Sequence, residues 1–364
     1  MKITSTFLLF LTLTQLGIAQ GGRKNTFTVT GYYAGNTTAI DSIETDKLTH
    51  LIFSFSHLDN NMISLSGATD TIILNKMRFL KKKNPSLKIL VSLGGWGGCM
   101  TCSAVFASEK ARSEFTRSVK KLIDYFSLDG IDLDWEYPAI EGYPGHPYSP
   151  EDKTNFTELI RALRNALGNG KEISFAAGGF GQFIDRSVEW EKVMPLVNRV
   201  NLMSYDLTGG YSLVSGHHTP LYSNKVQTES TDNGVNLLLA KGVPAGKIVI
   251  GAAFYARLFR VSDSINNGLY RPGNFYQGIS WKNLYDSINP ANGFTQYMDT
   301  IAAAPFAFNA QRKLFATYDD SLSVARKTSY AMKKKLNGIM FWQLMDDKFT
   351  KGLLNVIDTE IKLQ

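Results

Sequence analysis

DGIDLDWEYP, residues 129–138, sets four carboxylates, Asp129, Asp132, Asp134 and Glu136, among Ile131, Leu133 and Trp135. In an extended strand, residues two apart share a face. Asp132, Asp134 and Glu136 then point one way, and Ile131, Leu133 and Trp135 the other. One face is built for packing, the other for chemistry. Same-face neighbours on a strand lie roughly 7 Å apart, so the three acids form a ladder. In a shielded site they cannot all ionise, and at least one proton is held among them. Coupling of this kind raises the pKa of the outermost group, Glu136, and suits it to donate a proton near neutral pH. A calcium site needs a looping ligand set rather than the even spacing of a strand. A plain surface strand does not explain the aromatic company. The pattern reads as acid catalysis.

Working outward, seven more strand-like runs recur: FTVTGYY (27–33), LTHLIFSF (48–55), LKILVSLGG (87–95), EISFAAGGF (172–180), VNLMSYD (200–206), KIVIGAAFY (247–255) and GIMFWQL (338–344). With GIDLDWEY (130–137) they make eight. Helical periodicity lies between them. Residues 109–126 place Phe115, Val119, Leu122, Ile123 and Phe126 on one face. Residues 149–168 open with Ser149 as N-cap and Pro150 at the first helical position, then stop at Gly168. Alternating strands and helices predict an α/β fold, a (β/α)8 TIM barrel. An open doubly wound sheet is the alternative, since periodicity does not show closure. From 258 to 320 the pattern breaks into short turn-rich pieces, read as a small α+β insertion between strands seven and eight. The barrel then comprises 24–257 and 321–364.

Active sites of such barrels form at the C-terminal ends of the strands. There the third run ends in Ser92-Leu93-Gly94-Gly95-Trp96, the fourth in Asp134-Trp135-Glu136-Tyr137 and the sixth in Met203-Ser204-Tyr205-Asp206. The seventh ends in Tyr255-Ala256-Arg257 and the eighth at Trp342. Trp96, Trp342, Tyr205, Tyr211 and Tyr255 supply faces that stack on sugar rings, with a polar handle on each ring. Trp135, on the packing parity, reads as core.

The chain has 364 residues, 44% hydrophobic and 20% charged, with a formal charge of +7. Lys81, Lys82 and Lys83, and Lys333, Lys334 and Lys335, lack the arginine and aromatic interleaving of a nucleic-acid surface. They read as solvated helix ends. Lys2, the apolar stretch around Phe7 to Leu13 and Gly17-Ile18-Ala19 have the layout of a cleavable signal peptide over 1–19. The expectation is a secreted or periplasmic protein, not membrane-bound. Cys99 and Cys102 are the two cysteines. In an exported protein a local disulfide between them is the expected state, ahead of a redox centre or a zinc site.

DGIDLDWE resembles the DxxDxDxE signature of family 18 glycoside hydrolases, the chitinases and their relatives. SLGG at 92–95 is similar to their SxGG motif. LTHLIFSF, NLMSYD and GIMFWQLMDD resemble their second, sixth and eighth strands. The resemblance implies hydrolysis of β-1,4 bonds between N-acetylglucosamine units, with retention and without a protein nucleophile. It implies Glu136 as general acid/base, Asp134 as the partner of the substrate's acetamido nitrogen and Tyr205 as holder of the acetamido oxygen. Asp132, with Tyr32 and Ser92, tunes Asp134 from below. The implied substrate-binding set is Trp342, Trp96, Met203, Asp206, Tyr255, Arg257, Tyr137, Tyr32, Phe55, Ser92 and Tyr211. No metal or organic cofactor is implied, and the expected partner is chitin or an N-acetylglucosamine oligosaccharide, met by a monomer. The chain departs from the family at Tyr211, where many chitinases have tryptophan, and at GAAFYAR, which lacks the commoner proline and second glycine. Alternatives are an endo-β-N-acetylglucosaminidase acting on glycoprotein or cell-wall glycans, and a chitinase-like lectin that binds without cutting.

Overall fold

The computed structural model describes residues 27–363. The signal peptide expected over 1–19 lies outside the described residues. Eight parallel strands form the barrel: β1 (Thr28–Tyr33), β2 (His50–Asp59), β3 (Lys88–Gly94), β4 (Gly130–Asp134), β5 (Glu172–Gly178), β6 (Arg199–Met203), β7 (Ile248–Ala253) and β8 (Gly338–Trp342). β1 pairs with β8 on one side and with β2 on the other. That double pairing closes the sheet and excludes the open doubly wound alternative.

The period-2 alternation of β4 is what divides inside from outside. Ile131, Leu133 and Trp135 are buried in the main core between barrel and helices, where Trp135 packs on Phe106 and Phe156. Burying each such side chain contributes about 1.5–3 kcal/mol. The helix Glu109–Phe126 covers this face, capped by the Ser108 side chain and ended by Ser127 in the left-handed region at φ 54°. The next helix runs over Asp152–Leu167 and stops at Gly168, φ 63°. It starts later than the Ser149 cap predicts. The Asp152 carboxylate accepts from the Ser149 N–H at 2.8 Å and from the Ser103 hydroxyl at 2.8 Å, so Ser149 is a donor to the turn rather than its cap. The first βα connection has only short 3₁₀ turns, Ala39–Ser42 and Thr45–Lys47, in place of an α-helix.

After β7 the chain builds a second sheet, antiparallel throughout, in the order Gly273–Ser280, Tyr255–Val261, Leu314–Thr317, Ala304–Asn309, Thr295–Asp299. Phe259, Val261, Leu269, Phe306, Phe308 and Phe315 give it a core of its own. β7 ends at Ala253, so Tyr255 and Arg257 belong to this second sheet, not to the barrel strand as the sequence suggested.

Asp129, first of the four acids, lies at the opposite end of β4 from Glu136. Its carboxylate accepts from the Ile89 N–H at 2.8 Å and from Lys81 at 2.8 and 2.9 Å. Lys81 is therefore a partner in an ion pair rather than a solvated helix end. Asp129→Ala leaves the Ile89 N–H without its acceptor and should lower stability by about 1–3 kcal/mol in chemical denaturation. An unchanged midpoint would contradict this structural role.

Candidate active site

Strand register assembles the floor of the site. Ser92 of β3 lies level with Asp132 of β4, and Asp132 with Ser174 of β5. Inside the barrel Asp132 is fully buried and collects four donors. Ser174 and Asn201 reach one oxygen at 2.6 and 3.1 Å; Ser92 and Tyr32 reach the other at 2.9 and 3.1 Å. Burial pushes its pKa up, against the pull of these hydrogen bonds. Four donors on two oxygens suit an acceptor-only carboxylate, so of the three acids Asp132 is the one best furnished to carry a negative charge. Tyr32 and Ser92, expected in the substrate-binding set, are buried and turned to this task beneath the other acids.

Asp134 stands one step above. Burial raises its pKa well above the usual carboxylate range, and the charges of Glu136 and Asp132 add to the rise. Its Oδ1 is buried without a hydrogen-bond partner. Glu136, 8% exposed, follows at the mouth. Its pKa is pushed up to about 7, first by burial and then by the charge of Asp206, against hydrogen bonds from Tyr137 and Asp134. Sequence reasoning anticipated the direction but credited coupling; loss of water is the larger cause. The two carboxyls interact directly, and two carboxylates this close do not both ionise readily. The arrangement can deliver a proton to a bound group near neutral pH.

Glycine lets the neighbouring backbone come this close. Gly94 has φ 111°, and a Cβ on it would meet the Asp134 carbonyl oxygen at 2.2 Å. The Gly95 N–H donates to the same oxygen at 2.9 Å. Gly95 also has positive φ and lies against the Phe55 ring. The SLGG run is thus the part of β3 that can turn away over β4.

The rim is aromatic. Trp342 stacks on Phe55, centroids 5.4 Å apart and planes 14° apart, with Tyr32 beneath it at 6.0 Å. Trp96, half-exposed, meets Tyr137, Tyr143 and Tyr211 at 6.3, 5.8 and 6.0 Å. Cys99 and Cys102 are disulfide-paired just beyond Trp96. Met203 is buried in the inner apolar cluster, beside Tyr205 and Trp342. The Tyr205 ring lies on Gly251, where a Cβ would come within 2.8 Å of it, and edge-on to Tyr255 at 6.2 Å. Burial and the surrounding acids raise the pKa of Tyr205, keeping its hydroxyl protonated.

Asp206 is clamped by Arg257, whose Nε and Nη2 donate at 2.7 and 2.6 Å. His218 Nδ1 lies 3.5 Å away. Burial would raise the Asp206 pKa, but the nearby His218 and the hydrogen bonds and charge of Arg257 hold it well below the usual range. Asp206 thus stays charged and sustains the raised pKa of Glu136.

Ser174, Asn201, His218 and Tyr143 were not among the residues read from sequence. Ser174 and Asn201 had a signal, a lone polar residue in an apolar strand on the same parity as the interior. His218 and Tyr143 sit in loops that carry no period. Among the described residues no group of three or more His, Cys, Asp or Glu side chains is placed to hold a metal ion. No helix among them is long and apolar enough to cross a membrane.

A closed barrel with buried acids at the mouth and an aromatic rim is the architecture of a glycoside hydrolase. Residues 28–347 match the family described as glycosyl hydrolases family 18, and the chain belongs to that family. It is 34% identical over 313 residues to Chitinase A1 of Niallia circulans, covering 79% of this chain and 44% of that protein. The chain thus spans under half the length of that relative. Chitotriosidase-1 of Mus musculus is 29% identical over 343 residues, 86% of this chain and 70% of that one. Among solved structures, a family 18 N-acetylglucosaminidase from Paenibacillus barengoltzii superposes with a TM-score of 0.83 at 34% identity, over 92% of this chain and 99% of the other.

Two outcomes follow from the charges. Asp206→Asn removes the negative charge facing Glu136 and leaves Arg257 unpaired, so the Glu136 pKa should fall. The alkaline limb of the pH–rate profile should move to lower pH; a shift upward or none would refute the coupling. Glu136 also costs stability. Its folded pKa of about 7 exceeds the ordinary 4.5, so between those values the folded chain holds a proton the unfolded chain releases. Stability therefore falls as pH rises through that window. Glu136→Gln should be more stable than the wild type at pH 8, by on the order of 3 kcal/mol, with no gain at pH 4. An equal difference at both pH values would contradict it.

Proposed function

We propose that this chain is a chitinase that hydrolyses β-1,4 bonds between N-acetylglucosamine units by substrate-assisted catalysis, the route of family 18 enzymes. The observation that carries the reading is the buried stack of Asp132, Asp134 and Glu136 at the barrel mouth, with four donors on Asp132 and an Asp134 Oδ1 that has no partner. Glu136 protonates the glycosidic oxygen as the bond to the anomeric carbon breaks. The substrate's 2-acetamido oxygen attacks that carbon from the opposite face and forms an oxazolinium ion. The unpartnered Oδ1 of Asp134 accepts the acetamido N–H, and the Tyr205 hydroxyl donates to the acetamido oxygen. Water, deprotonated by Glu136, then opens the ring with overall retention. A polar group left unpaired in the free enzyme and paired in the complex contributes to binding what completes it.

Trp342, backed by Phe55, forms the floor under the sugar. Trp96 and Tyr211 continue the aromatic path, and Asp206, Tyr255 and Arg257 form the facing wall. In this proposal the barrel carries the chemistry, and the insertion, whose sheet begins at Tyr255 rather than after residue 257, walls the cleft. Export by the 1–19 segment accords with a substrate outside the cell.

Release of single N-acetylglucosamine units is a second reading, favoured by the likeness to the Paenibacillus N-acetylglucosaminidase. Product analysis separates the two. On a chitin hexamer the wild type should give β-anomeric oligomers before monomer accumulates; monomer alone from the first minutes supports the second reading. Glu136→Gln should lose about 10²–10⁴-fold in kcat while still binding the hexamer. Comparable turnover by wild type and variant, or an α-anomeric first product, would overturn the proposed chemistry.

A further inference from the structure

Lys327, in the helix Ser321–Lys333, is fully buried beside an equally buried Asp319. The desolvation of two such charges offsets much of their attraction, so the pair is a poor device for stability alone. Its bonds lead to the site. Lys327 Nζ donates to Asp319 Oδ2 at 2.7 Å and to Thr219 Oγ1. A lysine ammonium only donates, so the Thr219 hydroxyl accepts from it and spends its own proton elsewhere. Of its two acceptors the Ser204 carbonyl, 3.0 Å away, is nearer than Asp319 Oδ2 at 3.3 Å and receives it. Ser204 immediately precedes Tyr205.

The same Asp319 Oδ2 accepts from the N–H of Ala253, the last residue of β7, at 3.0 Å. Ser323 fixes the other Asp319 oxygen at 2.7 Å. The Ser204 hydroxyl in turn bridges to β7, accepting from the Gly251 N–H at 3.0 Å and donating to the Gly251 carbonyl at 3.1 Å. Gly251 is the residue on which the Tyr205 ring rests. The end of β6, the end of β7 and the 217–219 loop thus meet at one buried ion pair.

We infer that Lys327 and Asp319 are positioning residues, which through Thr219 and the Ser204 carbonyl fix Tyr205 where it meets the substrate. The role given to Tyr205 rests on the function proposed above; the convergence of bonds on Ser204 does not. A misplacement of about 1 Å in a catalytic group can cost 10²-fold in rate, and this network is the means of preventing one.

The test replaces both charges together, Lys327→Met with Asp319→Asn, so that neither is left buried alone. Folding is checked by thermal melting, mobility by hydrogen exchange, and rate on chitin oligosaccharides. The expected result is faster exchange in 204–219 and at the Ala253 N–H, with the rest of the barrel strands unchanged. kcat should fall about 10- to 100-fold with KM altered less than about twofold. In a Tyr205→Phe background the same pair of changes should cost less than about threefold, because the lost interaction is already gone. A lowered melting temperature with kcat per folded molecule unchanged would overturn the inference. So would a full, additive loss in the Tyr205→Phe background. If the double variant does not fold, Thr219→Val cuts the same chain at one atom. It should show the same pattern, and unchanged kcat and exchange would overturn the inference. Should the wild type not cleave chitin oligosaccharides, the function proposed above fails; exchange in 204–219 then decides the positioning by itself, faster supporting it and unchanged overturning it.

Discussion

Four hydrogen bonds to one buried carboxylate govern this active site. Asp132 can remain charged inside the barrel because Ser92, Ser174, Tyr32 and Asn201 all donate to it. Those donors come from four other strands, and only a closed sheet brings them to one point. With the base of the ladder ionised, a second charge directly above becomes costly. The proton is therefore forced onto Asp134 and Glu136, where a reaction can use it. Fold and chemistry are linked by this single constraint: closure supplies the donors, and the donors place the proton.

The rim acts on the same proton from the other side. Arg257 and His218 hold Asp206 charged, and that charge faces Glu136. Arg257 arrives from the second sheet, whose first strand departs from the barrel immediately after β7. The insertion is therefore more than a wall: it contributes one half of the ion pair that helps set the acid's pKa. A site of this kind costs stability, because burial that raises a carboxyl pKa disfavours the folded state once the pH passes the ordinary value.

Much of this was legible in the sequence because β-strands have a rigid period. The alternation of 131–136 separated Trp135 from Glu136 without any structure, and eight such runs implied the barrel. Boundaries were less legible. Tyr255 and Arg257 follow β7 with only Phe254 intervening, and no residue there marks the change from parallel barrel to antiparallel sheet. The alternation kept Asp129 out of the ladder, but its partners, Lys81 and the Ile89 N–H, were not readable from it. Ser174 and Asn201 contact Asp132 through strand register, which one strand's pattern does not encode. His218 and Thr219 act from a loop, and the route from Lys327 to Ser204 joins residues more than a hundred positions apart. Periodic information was readable; pairing across the chain was not.

The claim that most needs a direct measurement is the position of the proton. Infrared difference spectroscopy of wild type against Glu136→Gln, titrated from pH 4 to 9, isolates the carboxyl band of Glu136. A protonated carboxyl that persists past pH 6 and is lost around pH 7 is the predicted result. Loss of that band between pH 4 and 5, as for a solvated glutamate, would contradict the account of how the barrel holds its acid.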